Sequence, residues 1–192
     1  MSTDYHYRLF DTAFGPCGLA WGEDGIVSLR IPGEDAATIE RRLRQLTGKH
    51  APSTPPKVIL HAIVKIQAYL DGRDVSFDDV KLDVSACEPL HQKVYAAARA
   101  LPYGRTMTYG EMAKSIGQPE GARDVGYALS RNPIAIIIPC HRILAAGNQI
   151  GGFSAYGGTK TKERLLILEG ASFAAPPAKE KKPAGDQLQL LF

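Results

Sequence analysis

Cys140 and His141 are the pair in this chain best suited to covalent chemistry. They close the run Ile134-Ala-Ile-Ile-Ile-Pro-Cys-His-Arg-Ile143, whose apolar residues lead straight into Pro139-Cys140-His141-Arg142. A thiol attacks as the thiolate, and a neighbouring imidazole is the usual means of forming one. The run is long enough for a buried strand-like segment. Pro139 fixes its own backbone and pushes Ile138 towards an extended shape. Cys140 is then delivered at the end of a rigid, buried element. On residue type alone, a cysteine after an apolar run is also often just a small buried hydrophobe.

Other polar groups carry less. Asp74, Asp78, Asp79 and Asp83 are metal-ligand types without the spacing or hinge glycine of a calcium loop, so they read as solvated. No His/Cys pair has zinc-site spacing. Arg41, Arg42 and Arg44 read as the solvated face of a helix rather than a nucleic-acid patch. His61 lies off the apolar stripe of its helix and reads as surface. No residue before 85 is assigned chemistry.

The elements that must position Cys140 follow from periodicity. Tyr5–Phe10, Cys17–Trp21 and Ile26–Ile31 read as strands of a small antiparallel sheet, with a hairpin turn at Glu23-Asp24-Gly25. Ala36–Leu46 and Val58–Leu70 have helical apolar spacing. Phe77–Val84 alternates, as a last strand or an extended linker. From Pro89 the texture is helical. Leu90–Leu101 is followed by a short helix from Tyr109 to Ile116, with Thr108 and Glu111 spaced as a capping box. After a glycine-containing connection comes Ala122–Arg131. Short helix, turn, short helix is the helix-turn-helix pattern, whose second helix meets DNA. Arg123 sits in the first turn of that second helix, against the helix dipole but suited to phosphates or the base stack. The loop Ile150–Gly158 holds four glycines in nine residues, which permits close backbone approach to a ligand. Thr161–Gly170 is a last helix, with Lys162, Glu163 and Arg164 expected outside and Leu165, Leu166 and Leu168 inside.

Composition places the 192 residues among soluble globular chains of one domain or two small ones. Three widely spaced cysteines, Cys17, Cys87 and Cys140, argue against a disulfide framework and for a reducing cytoplasm. No apolar run approaches a membrane span. Met1–His6 lacks the basic-then-apolar pattern of a secretory signal. The net charge of +3 is unevenly divided. Residues 1–90 carry ten basic against thirteen acidic side chains, whereas 91–169 carry ten against five. The basic excess accompanies Cys140, as a phosphate-backbone footprint would, although many proteins that touch no nucleic acid show as much.

Asn132-Pro133, six residues on Pro139-Cys140-His141-Arg142, a glycine-rich loop and Leu165-Leu166-x-x-Glu169 together resemble the O6-alkylguanine-DNA alkyltransferases, also called methylated-DNA–protein-cysteine methyltransferases. The match is strong over about residues 90–170 and one of style before them. It implies an α+β chain. A small ribonuclease H-like antiparallel sheet with helices (1–85) precedes a helical, winged-helix-like catalytic domain with a helix-turn-helix (86–170).

The resemblance also implies the chemistry. The damaged guanine is flipped out of the duplex, Arg123 fills the vacated stack, and Tyr109 contacts the flipped nucleotide and protonates the leaving base. Cys140 attacks the alkyl carbon. His141, bridged to it by water and held by Glu169, takes the thiol proton, while Asn132 braces the turn. DNA contacts are implied at Ala122, Arg123, Tyr127, Arg131 and Arg142, with Ser154 at the guanine edge. The alkyl group stays on sulfur, so each molecule acts once, without cofactor or metal. O6-alkylguanine in double-stranded DNA is the implied substrate, and O4-alkylthymine a further candidate. The chain departs from the family pattern in a longer loop over 153–162 and in Tyr127, which replaces a glycine found in some members.

Residues 171–192 form a Pro-, Ala- and Lys-rich tail that reads as disordered and ends in Gln187-Leu-Gln-Leu-Leu-Phe192. That hexapeptide resembles the short peptides that dock on the bacterial replication sliding clamp; packing on its own domain is the alternative. A monomer with no membrane association is expected. Two other functions compete with repair. In a non-catalytic sensor of alkylguanine the cysteine is replaced, whereas here it is present. A Cys140-His141-Glu169 hydrolase would need an oxyanion hole and multiple turnover.

Overall fold

The computed structural model describes residues 4–49 and 51–174. Three antiparallel strands, β1 (His6–Thr12), β2 (Gly15–Gly22) and β3 (Gly25–Arg30), form a meander in the order β1-β2-β3. Strand β2 is buried on both faces. Cys17, Leu19 and Trp21 look into the main core, while Ala20 and Tyr7 look the other way onto helix α1 (Ala36–Thr47) through Ile39 and Leu43. α1 lies so close that a Cβ on Gly18 would come within 2.5 Å of both Ile39 and Leu43. Asp35 caps α1, its carboxylate accepting from the Thr38 amide at 2.9 Å.

Helix α2 (Lys57–Leu70) covers the opposite face of the sheet with Ile59, Ala62, Ile63, Ile66, Tyr69 and Leu70. The segment expected as a last strand or linker is extended but makes only a single bridge, Ile26 to Leu82. The Ile26 amide donates to Lys81 O and the Asp83 amide to Ile26 O. With Leu29 N donating to Pro133 O at 2.9 Å, these bonds occupy the outer edge of β3. The second half of the chain is thereby pinned to the sheet.

Helices α3 (Pro89–Arg99), α4 (Tyr109–Ser115) and α5 (Ala122–Ser130) pack on one another. Thr108 and Glu111 form the expected capping box at the start of α4. Two-residue strands β4 (Met107–Thr108) and β5 (Ile143–Leu144) pair in parallel, and α6 (Gly158–Leu168) is the last helix among the described residues. One apolar core runs unbroken from Leu19 and Tyr69 to Val125, Ile138 and Leu165. Among the described residues, no helix is long and apolar enough to cross a membrane.

The run Ile134–Ile138 corrects the sequence reading. It is not a strand but a buried, folded-back loop. Ile138 N donates to Ile134 O at 2.9 Å, and Ile136 has φ of 72°. That conformation is costly for a β-branched residue. Ile137 N likewise donates to Ala135 O, so the run's own backbone groups pair within the loop, and prolines at 133 and 139 bracket it. It is the apolar burial of every one of these side chains that holds the loop in place.

Candidate active site

Cys140 opens a single 3-10 turn, Cys140–Arg142, directly after the loop. Asn132 ties that loop together. Its side-chain oxygen accepts from Ile134 N at 2.9 Å, and its amide nitrogen donates to Ile138 O at 2.9 Å and to Cys140 Sγ at 3.2 Å. All three contacts fit one orientation of the amide. Cys140 is only 7% exposed. Burial pushes its thiol pKa up, and the donor from Asn132 offsets this only in part, so the resting group is the thiol.

His141 is fully buried. Its Nε2 lies 2.8 Å from Glu169 Oε1, while its Nδ1 is buried with no hydrogen-bond partner among the described residues. Burial pushes the imidazole pKa down, against the pull of Glu169. A neutral ring donating from Nε2 to a carboxylate leaves Nδ1 as a bare acceptor.

Glu169 follows the last turn of α6, and Gly170 (φ 62°) turns the chain away. Its carboxylate is met by a fork from Arg142, with Nε to Oε2 at 2.9 Å and a terminal nitrogen to Oε1 at 2.9 Å. The Gly104 amide donates to Oε2 at 3.0 Å. Gly104 has φ of 70°, and a Cβ there would sit 2.8 Å from Glu169 O. Burial alone would raise the carboxyl pKa, but His141 and Arg142 hold it at about 2.

Arg142, implied as a DNA contact by the resemblance, is buried instead. It is forked on Glu169, donates to Leu101 O and lies against the Tyr103 ring. A guanidinium beside a buried carboxylate gains more there than in solvent, and the side chain does not reach the outer surface.

Tyr109 donates to Gly152 O at 3.3 Å, and burial pushes its phenol pKa up. With Gly126, Leu129, Ser130, Phe153 and Ser154 it lines a cavity of about 270 Å³ that reaches Cys140. A second cavity, about 360 Å³, reaches Cys140 from the side of Arg30, Arg131 and Tyr156. Ser154 lines both. Ala122 is half-buried at the start of α5. Arg123, Tyr127 and Arg131 form an exposed stripe along that helix, with the Arg131 guanidinium 5.3 Å from the Tyr127 ring centroid.

Two groups here escape the sequence reading. Lys162, expected outside, is fully buried, with its ammonium on the carbonyls of Ile143 and Gly152 and 5.6 Å from the Tyr109 ring centroid. Burial pushes its pKa down to about 8. Its spacing to Leu165, Leu166 and Glu169 is a legible signal, since all four share one helix face. Tyr69, from the half assigned no chemistry, places its hydroxyl on Glu169 and His141. Its position on the apolar stripe of α2 gives no such signal.

The chain matches known proteins over nearly all of its described length. Residues 5–84 match the family described as 6-O-methylguanine DNA methyltransferase, ribonuclease-like domain, and residues 89–171 match its DNA binding domain. A methylated-DNA–protein-cysteine methyltransferase of Mycobacterium leprae is 44% identical over 164 residues, covering 85% of this chain and 92% of the relative. That of Methanosarcina acetivorans is 36% identical, covering 86% of this chain and 99% of the relative. The crystal structure of Mycobacterium tuberculosis OGT in complex with DNA superposes with a TM-score of 0.68 at 35% identity, covering 86% of this chain and 93% of that one.

Proposed function

The chain belongs to the 6-O-methylguanine-DNA methyltransferase family, and on that footing we propose that it repairs O6-alkylguanine in DNA by moving the alkyl group onto its own Cys140. DNA is its partner. The observation that carries the assignment to Cys140 is the Asn132 amide 3.2 Å from Sγ, beside a cavity that Cys140 lines together with Tyr109 and Ser154.

The flipped base occupies that cavity, while Arg123, Tyr127 and Arg131 face the duplex. Ala122, at the helix start, approaches the backbone. As Sγ attacks the alkyl carbon, an S–C bond forms and the C–O6 bond breaks. The thiol proton goes through a bridging water to Nδ1 of His141. Glu169 steadies the resulting imidazolium and stays ionised, because Arg142 holds its charge. The Tyr109 hydroxyl supplies a proton to the departing guanine. Asn132 donates to sulfur as negative charge gathers there, and the Lys162 ammonium adds a nearby positive charge. A thioether is a poor leaving group, so no step regenerates the thiol.

Incubating the protein with excess duplex carrying O6-methylguanine tests this. Repaired guanine should plateau at one equivalent per protein. Continued turnover would favour a hydrolase, and tight duplex binding without transfer would favour a sensor.

Residues 1–85 and 86–170 are read as the two domains, in a cytoplasmic monomer. The peptide Gln187–Phe192 lies outside the described residues. Our reading is that it tethers repair to the replication clamp. Deleting it should abolish clamp binding, and no binding by the intact chain would end the idea.

A further inference from the structure

Tyr69 stands apart from the rest of the site in origin. It comes from α2, a hundred residues before Glu169 in the chain. Its hydroxyl lies 2.7 Å from Glu169 Oε1 and 3.2 Å from His141 Nε2. The ring is fully buried, edge-on to Phe77 and Tyr103 with centroids 6.0 and 6.1 Å away. Packing on those two rings holds the hydroxyl in place.

Oη, Oε1 and Nε2 close a triangle, and the hydrogens within it are countable. The carboxylate brings none, the phenol one, and neutral His141 one on a single ring nitrogen. With the phenol donating to Glu169, its oxygen faces Nε2 with lone pairs. That favours a hydrogen on Nε2, shared towards Glu169, and leaves Nδ1 as the acceptor. The opposite arrangement would put the hydrogen on Nδ1. There it would find no acceptor among the described residues, while the bare Nε2 lone pair would face the Glu169 carboxylate at 2.8 Å. Arg142 and Gly104 occupy the remaining acceptor directions of the carboxylate.

We propose that Tyr69 is a positioning residue for alkyl transfer: its hydroxyl fixes His141 as the Nε2–H tautomer, so that Nδ1 is free to take the Cys140 proton. The first half of the chain thus sets the competence of a site carried by the second. This rests on the reading that Cys140 is alkylated with His141 as its base. Tyr69 touches neither the alkyl group nor sulfur, and no proton leaves it in the reaction.

The test uses the full chain carrying Tyr69→Phe, which keeps the buried ring. Single-turnover transfer is followed with protein in excess over an O6-methylguanine duplex. The transfer rate constant at saturation should fall about tenfold, the worth of one hydrogen bond to a charged group. The half-saturating protein concentration should not change. The acidic limb of the pH–rate profile should move to higher pH, because a carboxylate relieved of the phenol draws the imidazolium more strongly. A purely structural Tyr69 would leave rate constant and limb where they are in folded protein, and that result overturns the proposal. Should the variant fold poorly, the His141 ring nitrogen shifts of the wild type decide. The Nε2–H tautomer is expected, and Nδ1–H contradicts it. Failure of the underlying reading looks different, since the wild type itself would then transfer nothing.

Discussion

The side-chain nitrogen of Asn132 lies 3.2 Å from Cys140 Sγ while the same side chain binds Ile134 N and Ile138 O. One amide therefore both shapes the loop that carries the nucleophile and donates to the nucleophile itself. Asn132→Ala should lower stability by about 1–3 kcal/mol, since it leaves buried backbone groups unpaired. It should also slow transfer in the molecules that remain folded. Asn132→Asp separates the two effects. It keeps an acceptor for Ile134 N but sets a negative charge against the forming thiolate, so transfer should fall further than stability. Thermal melts alongside single-turnover rates check both.

The buried carboxylate makes the fold sensitive to acid. Glu169 is held at about 2 in the folded chain, below its ordinary value of 4.5. A depressed carboxyl contributes stability above its unfolded pKa and loses it as pH falls towards the folded one. The window therefore runs from about pH 4.5 down to about 2, and the contribution is on the order of 3 kcal/mol. His141 acts in the same direction over a higher range. Its folded pKa lies below 6.5, so the unfolded chain takes up its proton first and stability declines as pH falls from there. Urea midpoints measured down this range should drop steadily. Glu169→Gln should flatten the lower part of the curve.

Activity has its own acid limit. In the proposed mechanism transfer requires neutral His141, whose pKa burial depresses. The transfer rate should stay level through the ordinary histidine range and fall only below it. A rate that halves near the usual histidine pKa would contradict the assignment of His141 as base. Rapid-quench transfer on a pre-bound duplex is the appropriate measurement, because binding is then complete at every pH.

The stripe on α5 predicts a separation of binding from chemistry. Arg123→Ala and Arg131→Ala should weaken duplex binding and lower its salt dependence by about 0.9 in logarithmic slope for each phosphate the protein no longer neutralises. Transfer from a free alkylated guanine base should be unchanged. Arg142→Ala should behave in the opposite way, leaving Glu169 buried without its cation. Breaking a buried pair in this way costs about 3–5 kcal/mol, so this variant should melt early and transfer poorly from either substrate.

Much of this architecture is legible in the sequence because it is local. Helical spacing locates α1, α2, α3 and α6 within a few residues, and Thr108 with Glu111 marks the start of α4 through a cap that needs only four consecutive residues. Cys140 and His141 are legible because they are adjacent. The Ile134–Ile138 loop is not, since periodicity cannot tell a buried strand from an apolar run that folds back between two prolines. Residue type misplaces Lys162, although its helix face points inward. Arg142 reads as a DNA contact until Glu169 is seen beside it. Tyr69 depends on contacts that span the chain and leave no pattern in it.

Lys162 carries a prediction of its own. Lys162→Met preserves length and suits a buried position, so the fold should survive without the bond to Ile143 O. Transfer should slow about tenfold if the ammonium is worth one charge-assisted interaction with the developing thiolate. Duplex affinity should be unaffected, since the group is buried.

Intact-protein mass spectrometry after incubation with a duplex carrying O6-methylguanine tests the central claim most directly, with Cys140→Ala alongside. The account predicts a gain of one methyl group on the wild type, located on the peptide bearing Cys140, and no gain on the variant. An unmodified wild-type protein after full exposure, or a methyl group on the Cys140→Ala variant, would contradict it.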